Sequence, residues 1–224
     1  METVKGYLLV VEDIPDILNL LETTLQFKGY RVITARNGHE AMEHIQKERP
    51  LLVITDILMP KMDGFSFVHR LRIDPQTRKL PVIFLSATYV APEDKAFALT
   101  IGATRFLEKP VNLSEFLPII EELLIHPVPE VTSLPSEKEF YEGYRKRLEI
   151  KLAEKNAQIM RGESLLLNLT ESEKESFTLS LHQAVNEKHD LQTLLEQIND
   201  QLAKSDTPSE SDPQSPPESS TPPL

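Results

Sequence analysis

Within the first 126 residues, short apolar runs alternate with amphipathic stretches at a nearly regular interval. The runs cover residues 7–11, 32–35, 51–55, 81–85 and 105–107. Each is rich in Val, Ile, Leu or Phe and is bounded by turn-forming or charged residues, the signature of a short buried strand. The intervening segments 17–27, 40–46, 65–71, 95–101 and 115–124 carry their apolar residues at helical spacing. Five strands alternating with five helices predict a parallel sheet covered on both faces, a doubly wound α/β domain. Such a domain gathers its functional groups at the carboxyl ends of its strands.

A Pro-rich linker, residues 127–135, closes this first domain, residues 1–126. Beyond it, Ser136-Glu137-Lys138-Glu139 has the form of a capping box, with the serine as N-cap and Glu139 reaching back to it. Phe140, Tyr144, Leu148, Leu152, Ile159 and Leu166 then follow a helical stripe, broken at Asn156 and Gly162. Thr170-Glu171-Ser172-Glu173 is a second capping box. It opens a helix whose positions Phe177, Leu181, Ala184, Lys188, Leu191, Leu195, Ile198 and Leu202 step by four and three in alternation. That is a heptad seam with one lysine in it, a device that fixes register at some cost in stability. Residues 136–204 are therefore expected to form an α-helical hairpin or coiled coil. The stripes cannot be hidden by isolated helices, so they pair within the chain, in a homodimer or with a partner protein. Residues 205–224 are dominated by Ser, Pro, Asp and Glu, and this acidic tail is expected to be disordered.

Composition removes several kinds of chemistry. The chain has no cysteine, which excludes disulfides, thiolate catalysis and cysteine-ligated zinc. Its formal net charge is −11 and no segment is strongly basic, which argues against gripping nucleic acid. Residues 7–11 are too few for a secretory core, and no apolar run reaches the roughly 20 residues that span a bilayer. A cytoplasmic protein without membrane contact is expected.

The polar residues fall where the strands end. Glu12 and Asp13 follow the first run, Asp56 the third, Ser86 the fourth and Lys109 the fifth. Taken singly, each has an ordinary reading: a turn or cap residue for the acids, a solvated charge for the lysine. In a parallel sheet those ends converge, so three carboxylates, a hydroxyl and an ammonium meet. Clustered carboxylates repel one another unless a cation sits among them, and an all-oxygen set suits a hard ion such as Mg²⁺. A carboxylate nucleophile, a hydroxyl donor and a mobile ammonium beside such an ion are equipped for phosphoryl transfer.

The Glu12-Asp13 pair resembles the acidic pair of response-regulator receiver domains. So does the run Asp56-Ile57-Leu58-Met59-Pro60-Lys61-Met62-Asp63-Gly64, and Ser86-Ala87 and Lys109-Pro110 follow in that family's order and spacing. The resemblance covers about the first 125 residues and implies a flavodoxin-like receiver fold. It implies that Asp56 is the phosphoacceptor, charged by the phosphohistidine of a sensor histidine kinase. It implies that Mg²⁺ is held by Asp13, Asp56 and the backbone carbonyl of Leu58, with Glu12 acting through water. Ser86 and Lys109 would then bind the phosphoryl group, and Phe106 would be the switch aromatic. The family often has Thr at the position of Ser86 and Tyr at that of Phe106, and both substitutions keep the group required. Lys109-Pro110 resembles the pair whose peptide bond is commonly cis. The two positions that hold a hydrolytic water in the family fall on Leu58 and Thr88, which predicts slow self-dephosphorylation.

The expected function is a response regulator that phosphorylates itself, turns over no separate substrate and signals through protein–protein contacts of 136–204. Two alternatives differ in their output. One is a DNA-binding transcriptional regulator using residues 145–161, although glutamates are interleaved with the basic residues there. The other is a phosphorelay intermediate that passes the group onward. His189-Asp190-Leu191 faintly resembles a histidine-kinase phosphorylation box, but it lies late on its helix and reads as a solvent-facing histidine.

Overall fold

The computed structural model describes residues 6–126, 134–166 and 170–205. The chain divides into two units, residues 1–136 and 137–224. The linker and tail expected at 127–135 and 205–224 lie almost wholly outside the described residues.

The first unit alternates strand and helix throughout: β1 (Leu8–Val11), α1 (Pro15–Phe27), β2 (Val32–Ala35), α2 (Gly38–Lys47), β3 (Leu52–Asp56), α3 (Gly64–Ile73), β4 (Val82–Ser86), α4 (Pro92–Thr100), β5 (Arg105–Glu108) and α5 (Leu113–Ile125). The strands form one parallel sheet in the order β2-β1-β3-β4-β5. This is the doubly wound sheet that the strand–helix pattern predicts, in the flavodoxin-like order that the receiver resemblance implies. Every residue of β1, β3 and β4 is buried, as expected for strands covered on both faces.

The pleat sends alternate side chains to opposite faces. Leu8, Val10, Leu52, Ile54, Ile83 and Leu85 pack under Leu18, Leu21 and Leu25 of α1 and Phe116, Ile120 and Leu123 of α5. On the other face Phe84 meets Phe65 of α3 edge-on, with ring centroids 5.3 Å apart. At the amino end of the sheet, Arg72 is buried away from water. Its guanidinium donates to the carbonyls of Leu80 and Gly102 at 2.7–2.9 Å. Burial lowers its pKa to about 10, so it keeps its charge and pins α3 to the starts of β4 and β5.

Helices begin earlier than their apolar stripes suggest, because their first turns are polar or capped. Asn37, Asp63 and Asn112 each accept a backbone N–H from the first turn of α2, α3 and α5. Strands β3 and β4 also shift by one residue against their apolar runs. Asp56 and Ser86 are the last residues of β3 and β4, rather than the first residues after them.

The second unit consists of α6 (Glu137–Leu166) and α7 (Glu171–Ser205). They pack antiparallel. Lys155 Nζ of α6 lies 2.7 Å from Glu187 Oε2 of α7, and further along α6 the neighbours of Gly162 are Leu181 and Phe177. The seam residues Ala184, Leu191, Ile198 and Leu202 are buried. One detail of the expected α6 stripe is corrected: Lys151 is more deeply buried than Leu152, while the helix itself runs on through Asn156 and Gly162. A Cβ on Gly162 would stand 2.9 Å from Leu181 Cδ1, so its lack of a side chain allows close helix contact. Lys151 lays its aliphatic stem along the seam and carries its ammonium to Glu154, 3.2 Å away. Among the described residues no helix is long and apolar enough to cross a membrane.

Candidate functional site

The sheet order puts the carboxyl ends of β1 and β3 side by side, at the point where the order of strands reverses. Glu12 and Asp13 leave β1 there, and Asp56 completes β3. Single carboxylate oxygens from Glu12, Asp13 and Asp56 all lie within 4.8 Å of one another. Glu12 and Asp56 are buried and Asp13 is half-buried. The acids do not cap α1 in the usual way. Ile14 holds the cap position without a side-chain bond, and Glu12 Oε1 accepts its N–H at a long 3.4 Å.

Lys109 enters from the end of β5. Its Nζ donates to Glu12 Oε2 at 2.6 Å and lies 3.0 Å from Asp56 Oδ1. The Lys109–Pro110 peptide bond is cis, and the Lys109 N–H donates to the Ser86 carbonyl at 2.9 Å.

Burial dominates the electrostatics. It raises the pKa of Asp56, Lys109 opposes it, and the nearby Asp13 charge adds to the rise. Glu12 is also raised, by burial first and then by the Asp56 charge, against the pull of Lys109. Burial works against the Lys109 ammonium, but Asp56 and Glu12 more than offset it and the pKa is raised. Three carboxylates facing one ammonium leave excess negative charge in a partly dehydrated pocket. A divalent cation would cancel that excess, and the hard all-oxygen donor set fits Mg²⁺.

Ser86 is buried at the end of β4. Its Oγ accepts the backbone N–H groups of Thr88 at 3.2 Å and Tyr89 at 3.0 Å. A hydroxyl that accepts twice still has its own proton to donate.

The loop after Asp56 is fastened at several points. Gly64 N–H donates to the Ile57 carbonyl at 2.8 Å, and Gly38 N–H to the Met62 carbonyl at 2.9 Å. Lys61 adopts a φ of 67°, in the left-handed region. Asp63 caps α3, accepting from Ser66 N at 2.9 Å and Ser66 Oγ at 2.6 Å. A Cβ on Gly64 would stand 2.1 Å from the Asp56 carbonyl oxygen, so only glycine lets α3 start this close to the end of β3. Leu58 sits half-buried in this loop between buried Ile57 and Met59. Phe106 is half-buried in β5, in register with Phe84 of β4.

Thus Glu12, Asp13, Asp56 and Lys109 come together directly, and Ser86 ends the strand beside Asp56. Sequence reasoning missed the part played by Gly64, although it lies inside the quoted run. It also missed Tyr89, which looks like an ordinary loop residue until its ring is placed.

The response regulator receiver domain family matches residues 8–121, just over half of the 224 residues. The chain belongs to the response-regulator receiver family. A 14.6 kDa uncharacterized protein of Leptolyngbya boryana is 38% identical to this receiver over 115 residues, 51% of the chain and 87% of the relative. The response regulator Rre1 of Synechocystis is 36% identical over 118 residues, 52% of the chain and 51% of the relative. The chain therefore spans only about half the length of that second relative. Among solved structures, the chemotaxis response regulator CheY4 of Vibrio cholerae aligns with a TM-score of 0.50 at 37% identity. That alignment covers 53% of this chain and 98% of CheY4. The receiver belongs to the two-component signalling system, and the likeness to CheY4 stops short of the α6–α7 hairpin.

Proposed function

We propose that this chain is a response regulator that accepts a phosphoryl group on Asp56 from a sensor histidine kinase and signals through protein–protein contacts of α6 and α7. The observation that carries the reading is the buried Asp56 carboxylate, with two further acids within 4.8 Å and Lys109 Nζ 3.0 Å away. An Asp56 carboxylate oxygen forms a bond to phosphorus as the bond from phosphorus to the kinase imidazole nitrogen breaks, and the electron pair leaves with the imidazole. Lys109 then shifts from the carboxylates to a phosphoryl oxygen, and Ser86 donates its proton to another. Asp13, Asp56 and the Leu58 carbonyl would hold Mg²⁺, with Glu12 acting through water; bound there, the ion supplies neutralisation of the phosphoryl charge. The domain transfers the group to itself and turns over no separate substrate.

The test is uptake from acetyl phosphate, which needs no kinase. With Mg²⁺ present one phosphoryl group per chain is expected, and a chelator should abolish it. Uptake undiminished by the chelator contradicts the metal assignment.

The pairing of α6 with α7 fills within the chain the seam that a two-chain coiled coil would use, so a partner protein would meet the outer faces, where Met160, Leu165, Leu179 and Val185 are exposed. Three of the basic residues of α6 are also paired with glutamates. Arg145 lies 3.8 Å from Glu149, and Lys151 and Lys155 reach Glu154 and Glu187. Charge spent on glutamates is not available to a phosphate backbone.

Leu58 sets the lifetime of the signal. Hydrolysis needs a water held in line with phosphorus, and the half-buried Leu58 offers no hydrogen bond. Thr88, also half-buried, presents only a short hydroxyl. The phosphoryl group is expected to last many minutes, and Leu58→Asn to shorten that lifetime severalfold, as read by phosphate release. Release complete within seconds in the unaltered chain contradicts this.

A further inference from the structure

Ser86 is tied to more than the pocket. The N–H of Tyr89 points at its Oγ, so any movement of that hydroxyl toward a phosphoryl group breaks or drags the backbone of Tyr89. The Tyr89 ring is fully buried and meets Phe65 edge-on, with centroids 5.2 Å apart and planes at 76°. Phe65 in turn meets Phe97 of α4 at 5.2 Å and 86°, and Phe84 of β4 at 5.3 Å. Phe65 is also the residue after Gly64, whose N–H holds the Ile57 carbonyl next to the acceptor. One ring therefore touches both sides of the pocket and the helix beyond it.

We infer that Tyr89 is a positioning residue that relays the state of Ser86 to α4 through Phe65 and Phe97, alongside the route through Phe106. This relay rests on the reading of Asp56 as phosphoacceptor. Edge-to-face rings have preferred geometries, and a packed cluster passes a displacement on instead of absorbing it. When Ser86 moves to the phosphoryl group, Tyr89 shifts, Phe65 of α3 re-seats against it, and Phe97 carries α4 with it. The surface of α4 is then the part of the receiver that reports phosphorylation.

The experiment is amide hydrogen exchange on the full chain with Mg²⁺, before and after adding beryllofluoride as the phosphoryl mimic. Asp56 and Ile57 report binding, and residues 92–100 report α4. In the unaltered chain and in Tyr89→Phe, both regions should respond, since the ring is kept. In Tyr89→Leu, the Asp56 response should persist while that of α4 falls by roughly two- to tenfold, the scale of one aromatic pair's coupling. Phe97→Leu, at a half-buried position that tolerates the change, should lose the α4 response in the same way. An α4 response undiminished in both leucine variants overturns the relay and leaves the acceptor reading standing. No response at Asp56 in the unaltered chain overturns the acceptor reading and the relay with it.

Discussion

Asp56→Asn is expected to abolish phosphoryl uptake from acetyl phosphate, a loss limited only by detection. The amide keeps the size of the side chain and can still accept a bond from Lys109. It lacks the charge and lone-pair strength that let a carboxylate attack phosphorus. The substitution should not unfold the receiver. Asp56 is buried with its pKa raised, so removing its charge relieves part of the repulsion with Glu12 and Asp13. The variant is therefore expected to be at least as heat-stable as the unaltered chain in the absence of Mg²⁺. Uptake at an unreduced level would move the acceptor elsewhere, and a collapsed receiver would make Asp56 structural.

Replacing Leu191 and Ile198 together by alanine is expected to melt the helical unit while leaving the receiver folded. Both side chains are 2% exposed in the α6–α7 seam. Truncating a buried Leu or Ile costs roughly 2–5 kcal/mol. A unit of this size holds on the order of 3–10 kcal/mol in total, so two such losses consume most of it. Far-UV circular dichroism should lose the signal of two long helices, and calorimetry should keep one transition belonging to the α/β domain. A single transition that shifts as a whole would instead show that both units unfold as one body.

Much of the site could be read from the sequence because a parallel sheet turns strand ends into neighbours. Glu12, Asp13, Asp56, Ser86 and Lys109 each stand at such an end, and no further geometry was needed to bring them together. The boundaries were less legible. Asp56 and Ser86 belong to their strands by backbone pairing, Asp56 opposite Leu85 and Ser86 opposite Glu108, and an apolar run cannot show that. Lys151 escaped the α6 stripe because a lysine does not count as apolar, although its stem packs like one. Gly162 counts only as a gap in the apolar stripe, whereas close contact with α7 makes glycine the residue that fits. The close approach of Gly64 to Asp56 and the packing of the Tyr89 ring against Phe65 depend on three-dimensional placement, which no spacing rule reports.

The account stands on where a phosphoryl group goes. Treating the unaltered chain with acetyl phosphate and Mg²⁺, trapping the acyl phosphate by borohydride reduction and sequencing the peptides by mass spectrometry locates it directly. A single modification at Asp56, lost on prior treatment with hydroxylamine, is the predicted result. No modification, or a modification at any other residue with Asp56 untouched, would contradict it.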